Sequence, residues 1–458
     1  MSGDHSSYAA MPGAEGLSRK LAKYLVGAKP EHLPENVRHA GVQTFLNWLG
    51  CAVGGSAHEA VDIAIKAMKP FSGPEQSTII GRRERMDVLN AALVNGIASH
   101  VFDFDDTHLK TVIHPAGPVA SAIFALAEMR PVNGRDFLNA LVLGVEVECR
   151  LGNAVFPDHY DRGWHITGST GVLGAAAAVG KLIGLDEQRM LWALGIAAVQ
   201  PVGLREMFGS MTKSFHPGRA AQNGLTAALL AEQGYTASNQ GIEAKRGWAA
   251  VTSTKQDWSQ IQDGLGESYE ILINSYKPFA CGIVIHPAID GCIQLRNEHG
   301  LKAEDIAKID LEVHPLVLEL TGKKAPPTGL DGKFSVYHSC AAAIIRGKAG
   351  EPEYSDELVK DPVLVRLRDS ITATVDPNIA SDAVKVTMTL KDGRVLKKFV
   401  EHAIGSVAKP MTDKNLEVKF LDLCDGVLSA DKARKLLDMA WKLESFDDVT
   451  VIAKAATP

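Results

Sequence analysis

Residues 171–185 read GVLGAAAAVGKLIGL, and the choice between a membrane span and a core helix for this run decides the fold. Lys181 ends the apolar stretch well short of the roughly 20 residues needed to cross a bilayer. The small side chains of Gly174–Ala178 leave little between neighbouring helix backbones, so the run predicts a core helix with close neighbours. Working outward, EHLPENVRHAGVQTFLNWLGCAVGG (31–55), AALVNGIASHVFDF (91–104), PVASAIFALAEM (118–129) and RDFLNALVLGVEVECRLGNAV (135–155) repeat apolar residues at helical spacing. Residues 16 to about 262 therefore read as all-α.

The texture changes after about Tyr276. KIDLEVHPLVLEL (308–320), SITATV (370–375) and AVKVTMTLKDGRVLKKFVE (383–401) alternate as strands do, and Asp392-Gly393 is a tight-hairpin signal. VYHSCAAAIIRG (336–347) reads as a helix among them, and from about Asp413 helical spacing returns. The expected fold is mainly α: a large all-helical domain, residues 1–275 plus 405–458, with an inserted α+β domain at 276–404.

A chain of 458 residues suggests two or three domains, and 46% hydrophobic with 22% charged residues is ordinary globular composition. The net charge of -6 and the lack of a basic stripe argue against nucleic acid as a partner. Six cysteines without a CxxC pair, and an N-terminus (MSGDHSSYAAMPGAEG) without the basic-then-apolar order of a signal peptide, predict a reduced, cytoplasmic chain with no membrane partner.

MTKSFHPGRAAQNG (211–224) gathers Lys213, His216 and Arg219 around Pro217, a residue suited to the first helical turn. Cations at the positive end of a helix are unfavourable unless an anion joins them, so the stretch asks for an anion. VFDFDDTHLKTVIHPAG (101–117) crowds Asp103, Asp105, Asp106, Thr107, His108 and His114 without an HExxH motif or an EF-hand loop; a capped solvated loop, a metal-free catalytic loop and a metal site all stay open. In DHYDRGWHITGSTGVLG (158–174), Thr167, Ser169 and Thr170 can cap a helix beginning near Gly171, which leaves His165 unexplained. His114-Pro115, His216-Pro217 and His286-Pro287 each precede a helical pattern and could set an imidazole at a helix mouth, whereas His314-Pro315 lies in strand-like sequence. Cys281 reads as a packed core residue, and Tyr337 or His338 as an acid or a capping group. No glycine pattern forms a P-loop or a dinucleotide fingerprint.

FDFDDTH (102–108) with HPAGPV (114–119), GWHITGSTGVLGAAAAVGKLIGL (163–185), GSMTKSFHPGRAAQNGLTAALLAEQG (209–234), YKPFACGIVIHPAID (276–290) and KFSVYHSCAAAII (333–345) together resemble the MmgE/PrpD family. The resemblance implies an all-helical domain completed by the C-terminal tail, an inserted α+β lid, an active site between them, a homodimer, and catalysis without metal or organic cofactor. It implies a di- or tricarboxylate substrate that exchanges a proton or carbon dioxide at a carbon next to a carboxylate. By local motif the site would use His114, His165, Lys213, Tyr337 and His286 in catalysis, with Asp103 and Thr107 contacting substrate; from the residues alone, His108, His216 and Arg219 join them as further substrate contacts. Lys213 and His216 would neutralise a carboxylate, His165 and His114 would transfer protons, and Tyr337 would add an acid or a hydrogen bond. The expected activity is a dehydratase-like lyase, with an epimerase, a decarboxylase or a non-catalytic carboxylate binder as alternatives. One departure bears on substrate: decarboxylase-like members carry a His near Gly282, where this chain has the apolar run Cys281–Ile285. Arg162, Arg205 or Arg219 could supply the missing polar grip.

Overall fold

The computed structural model describes residues 9–458 and is mainly helical. The first half of the N-terminal signal-peptide reading falls on residues 1–8, outside the described residues. The chain forms two compact units: one takes the chain up to Val101, Asp105–Asn274 and Leu416–Pro458, the other Phe102–Phe104 and Ser275–Asn415.

The first unit is built on α1 (Leu17–Gly27), α2 (Glu35–Gly55), α3 (Glu59–Met68), α4 (Val88–His100), α5 (Ala116–Met129), α6 (Gly134–Val155), α7 (Ile166–Leu182), α8 (Glu187–Ala198) and α9 (Thr212–Glu232). Gly171–Gly180 of α7 are all buried, and Lys181 turns its Nζ to the carbonyl of Ala28 at 2.5 Å. Among the described residues no helix is long and apolar enough to cross a membrane. Aromatic packing fills the centre: Phe45 and Trp48 of α2 meet Phe124 of α5 and Phe137 of α6, and the Trp48 indole donates to Ser121 Oγ at 3.1 Å.

α9 packs against α4, α5, α7 and α8. Its crossing with α4 is backbone on backbone: a Cβ on Gly96 would stand 2.4 Å from Gly218 Cα, and one on Gly218 2.3 Å from the Leu93 carbonyl. Only glycine fits at either place. That contact holds the first turns of α9, with Lys213 and His216, beside the C-terminal end of α4, with His100.

In the second unit β1 (Ile306–Val313), β2 (Ile371–Val375), β3 (Val384–Leu390) and β4 (Val395–Val400) form a sheet in the order β2-β1-β3-β4. β1 and β2 pair parallel, with Leu311 opposite Ala373, while β1–β3 and β3–β4 are antiparallel. Asp392-Gly393 makes the β3–β4 turn, with Gly393 at φ 89. Val384, Val386, Met388 and Leu390 alternate onto the buried face, against α10 (His286–His299), which packs in turn on α11 (Val336–Arg346).

One sequence expectation fails here. His314-Pro315 is not in strand; β1 stops at Val313, and His314 caps a helix at Pro315–Thr321 by accepting from Leu316 N at 3.2 Å. The proline ends the ladder because it has no N–H to donate and its fixed φ suits a first helical turn.

Candidate active site

The first unit gathers a buried cluster at the ends of α4, α5, α7 and α9. His100 closes α4, and its Nδ1 lies 2.7 Å from Asp105 Oδ2. The other oxygen, Oδ1, is 3.3 Å from His114 Nδ1 but accepts no hydrogen bond among the described residues, so one carboxylate lies close to two imidazoles and is bonded to one. The His114 Nδ1 also sits 2.8 Å from the Asp106 carbonyl, which can only accept. Nδ1 of His114 is therefore the protonated nitrogen, and its Nε2 carries a lone pair whenever the ring is neutral. A tight reversal brings His114 there: Val112 adopts φ 56, and its N–H donates to the His108 carbonyl at 2.8 Å. The His114 amide donates to Thr167 Oγ1 at 3.0 Å, tying this turn to α7.

His165 precedes the first turn of α7, and its Nδ1 meets His216 Nδ1 at 2.9 Å. Gly203, at φ +100, lies against this pair; a Cβ there would be 2.9 Å from His216 Cγ and 3.1 Å from His165 Cβ. Phe208 packs edge-on against His165 at 5.1 Å between centroids, with the Lys213 Nζ 5.3 Å over its ring. The rings of His100 and His114 are 4.7 Å apart, and those of His100 and His165 5.9 Å.

Burial sets the charge state of the cluster. Desolvation pushes His100 down to about 4, against the pull of Asp105 and with help from the Lys213 ammonium. His165 is held well below its ordinary value by burial and then by Lys213, and His216 falls to about 4 for the same two reasons. Burial would raise Asp105, but the His100 and His114 imidazoles hold it well below the usual carboxylate range. Behind it, burial and then the Asp105 charge push Asp106 up to about 7, and burial keeps Glu148 well above its usual value. At neutral pH burial thus keeps His100, His165 and His216 neutral, beside the Asp105 carboxylate and the buried Lys213 side chain. Ring nitrogens of His100, His114 and His165 lie within 4.8 Å of one another, a spacing that would suit a cation. The Lys213 charge acting on His100 and His165 opposes a dication there and favours an anion.

Among the sequence-named residues, His114, His165, Lys213, His216 and Thr107 lie in this cluster, Thr107 with its Oγ1 3.4 Å from His114 Nδ1. His108 does not serve it. Its Nδ1 is 2.6 Å from Thr111 Oγ1 and its Nε2 2.8 Å from Glu270, so both nitrogens are engaged elsewhere. Arg219 donates to Gln222 on its own helix, Arg205 stacks 4.0 Å over the Tyr160 ring, and Arg162 is exposed. Two helix starts are corrected. α9 begins at Thr212, so Pro217 is inside the helix and Lys213, not His216, stands in its first turn. α7 begins at Ile166, so Thr167, Ser169 and Thr170 are helical residues; Thr170 Oγ1 donates back to the Ile166 carbonyl at 2.7 Å.

Asp103, Tyr337 and His286 belong to the second unit. Asp103, at φ 52, accepts from Lys277 Nζ at 2.6 Å. Tyr337 is the second residue of α11, its phenol raised by burial, and His286 opens α10 with its ring edge-on to Phe279 at 5.3 Å. Cys281 is fully buried, its thiol pushed up to about 12 by desolvation, as a packed core residue should be. Sequence reading missed His100, whose one signal was a histidine closing an apolar helix shortly before an aspartate.

Comparison with known proteins bears on this arrangement. Residues 19–261 match the MmgE/PrpD N-terminal domain and residues 279–445 the MmgE/PrpD C-terminal domain. The chain is 28% identical to cis-aconitate decarboxylase of Homo sapiens, over 96% of this chain and 94% of that protein. It is 24% identical to cis-aconitate decarboxylase of Aspergillus terreus, over 95% and 94%. It is 23% identical to 2-methylcitrate dehydratase of Salmonella typhimurium, over 79% and 80%. With both domain models matched in order and together spanning most of its length, the chain belongs to the MmgE/PrpD family.

Proposed function

We propose that the protein is a lyase acting on a small di- or tricarboxylic acid, breaking a bond next to a carboxylate by proton transfer. The observation that carries this reading is the buried Lys213 ammonium beside His100, His165 and His216, imidazoles that burial keeps neutral. A carbon acid next to a carboxylate is weak. Its removal needs a base that is neutral at working pH and a fixed positive charge for the enolate-like electrons. Lys213 supplies the charge, and the lone pairs of His114 and His165 supply acid–base capacity. His216 sets the tautomer of His165 in this reading, and Thr107 orients His114. Arg219, bonded to Gln222, and His108, bonded to Thr111 and Glu270, are not among the residues that carry this reading. Asp103, Tyr337 and His286 stay as proposals carried by the family resemblance, Tyr337 as a hydrogen-bond or proton donor.

Loss of water and loss of carbon dioxide both build carbanionic charge next to a carboxylate, the first by giving up a proton and the second by giving up carbon dioxide and then taking a proton, and the relatives named above include a dehydratase and decarboxylases. We prefer a lyase to an epimerase because those relatives are named for bond-breaking reactions. Dehydration is preferred because the Cys281–Ile285 run has glycine at 282, where the family resemblance places a histidine in decarboxylase-like members. Decarboxylation is the second reading, favoured by identity along nearly the whole chain. Incubation with 2-methylcitrate, citrate and cis-aconitate, followed by mass spectrometry, separates loss of water from loss of carbon dioxide. Unchanged masses across such a panel would remove the lyase reading. A homodimer, a cytoplasmic setting and work without a cofactor complete the proposal, supported by the family resemblance and, for the setting, by six free, buried cysteines. Light scattering on the purified chain tests the dimer.

A further inference from the structure

His100 is the group in this cluster that neither the motif reading nor the family resemblance assigns. It is 1% exposed, and its Nδ1 is 2.7 Å from Asp105 Oδ2. A carboxylate so close accepts, so Nδ1 bears the hydrogen and Nε2 bears the lone pair. Nε2 is buried and has no hydrogen-bond partner among the described residues. An unmatched buried acceptor destabilises a fold, which tolerates it most readily where a ligand will meet it. The groups facing His100 are Asp105 from the turn after α4, His114 ahead of α5, His165 at the start of α7, and Lys213 in the first turn of α9. Of these, only Asp105 takes a hydrogen bond from it.

We propose that His100 is a proton-accepting residue of this site, held by Asp105 in its Nδ1–H tautomer so that the Nε2 lone pair meets an acidic hydrogen of the bound carboxylic acid. The proposal rests on the lyase reading for its reaction but not for its tautomer. The Nε2 lone pair forms an N–H bond as the C–H bond next to the substrate carboxylate breaks. The C–H electron pair passes into the carboxylate as an enediolate, opposite the Lys213 ammonium. The ring becomes an imidazolium paired with the Asp105 carboxylate, as a general base backed by an aspartate does. Asp105 Oδ1 also lies 3.3 Å from His114 Nδ1, so the charge of one carboxylate is felt by both rings, and a second positive imidazole in the cluster is opposed while the first persists.

Two measurements test this. In protein labelled with 15N-histidine, NMR of the imidazole nitrogens, assigned by the signal lost in His100→Gln, should show His100 neutral with hydrogen on Nδ1 from pH 5 to pH 8. An Nε2–H tautomer, or an imidazolium at pH 7, overturns the proposal, whether or not any substrate is found. With a substrate in hand, His100→Asn keeps a donor toward Asp105 but has no base. It should lower kcat by about 10²-fold or more with KM changed less than about threefold, and remove the acid limb of the kcat–pH profile. Wild-type kcat in a folded His100→Asn protein overturns the proposal. If the wild-type enzyme turns over none of the acids tried, the lyase reading fails and the tautomer measurement still decides the role of His100.

Discussion

His165 and His216 face each other nitrogen to nitrogen, Nδ1 to Nδ1 at 2.9 Å. Two neutral imidazoles so placed must share one hydrogen: one Nδ1 donates and the other accepts. The tautomers are therefore linked. When Nε2 of one ring gains a proton, the shared hydrogen can cross and the far ring can release its own.

This pairing predicts that His216→Ala lowers turnover by about 10- to 100-fold, less than the 10²–10⁴ expected for a directly acting acid–base group. His165→Ala should cost more than His216→Ala. A comparison of kcat for the two variants on one substrate checks the order, and equal losses would mean that both rings touch substrate.

Gly203 gives a second prediction. Its φ of +100 and the 2.9 Å from a would-be Cβ to His216 Cγ leave no room for a side chain. Gly203→Val should separate the two rings and cut kcat by at least about tenfold, while Gly209→Ala serves as a control: Gly209 also has positive φ but nothing within 4 Å. Both substitutions strain the backbone, so a loss of activity common to both would point to strain rather than to the histidine pair.

Lys213→Met keeps length and burial but removes the charge. A paired buried charge is worth about 2–5 kcal/mol to a ligand, so dicarboxylate affinity should fall by 30-fold or more. Isothermal titration with a slow substrate or unreactive analogue reads this directly. Affinity within threefold of wild type would place the anion elsewhere.

The buried histidines also make stability depend on pH. Burial lowers His100, His159 and His216 to about 4 each, and His165 falls well below its ordinary 6.5. Below about pH 6.5 the unfolded chain binds protons that these folded groups refuse, so stability present above that pH is lost as pH falls toward 4. Asp106 has the opposite sign: raised from 3.8 to about 7, its contribution is complete below 3.8 and is lost as pH rises through 7. The urea midpoint should therefore fall steeply from pH 6.5 to pH 4.5. A flat midpoint over that range would contradict neutral buried imidazoles.

The helical core was legible because its signal is local. Small residues at Gly174–Ala178, interrupted by Lys181, already separate a packed helix from a span. The strands were legible from alternation, up to the point at His314 where a proline changes the local rule. Helix starts were less so. Pro217 suits a first turn, yet α9 begins earlier, because α9 is held by the Gly96–Gly218 contact and other tertiary packing rather than by its terminal residues. The cluster was half legible: His114, His165, Lys213 and His216 carry recognisable surroundings, while His100 takes its meaning from Asp105, and only the turn after α4 brings them together.

The central claim is that Lys213 and the neutral imidazoles around it remove a proton next to a substrate carboxylate. Proton NMR of the wild-type protein and Lys213→Met with a panel of di- and tricarboxylates in deuterated water measures this most directly. The account predicts for wild type an unsaturated or decarboxylated acid, any solvent exchange being confined to carbon next to a carboxylate, and in Lys213→Met a rate lower by about 10²-fold or more. Product formation unchanged in Lys213→Met, or neither exchange nor product with any acid in wild type, would contradict it.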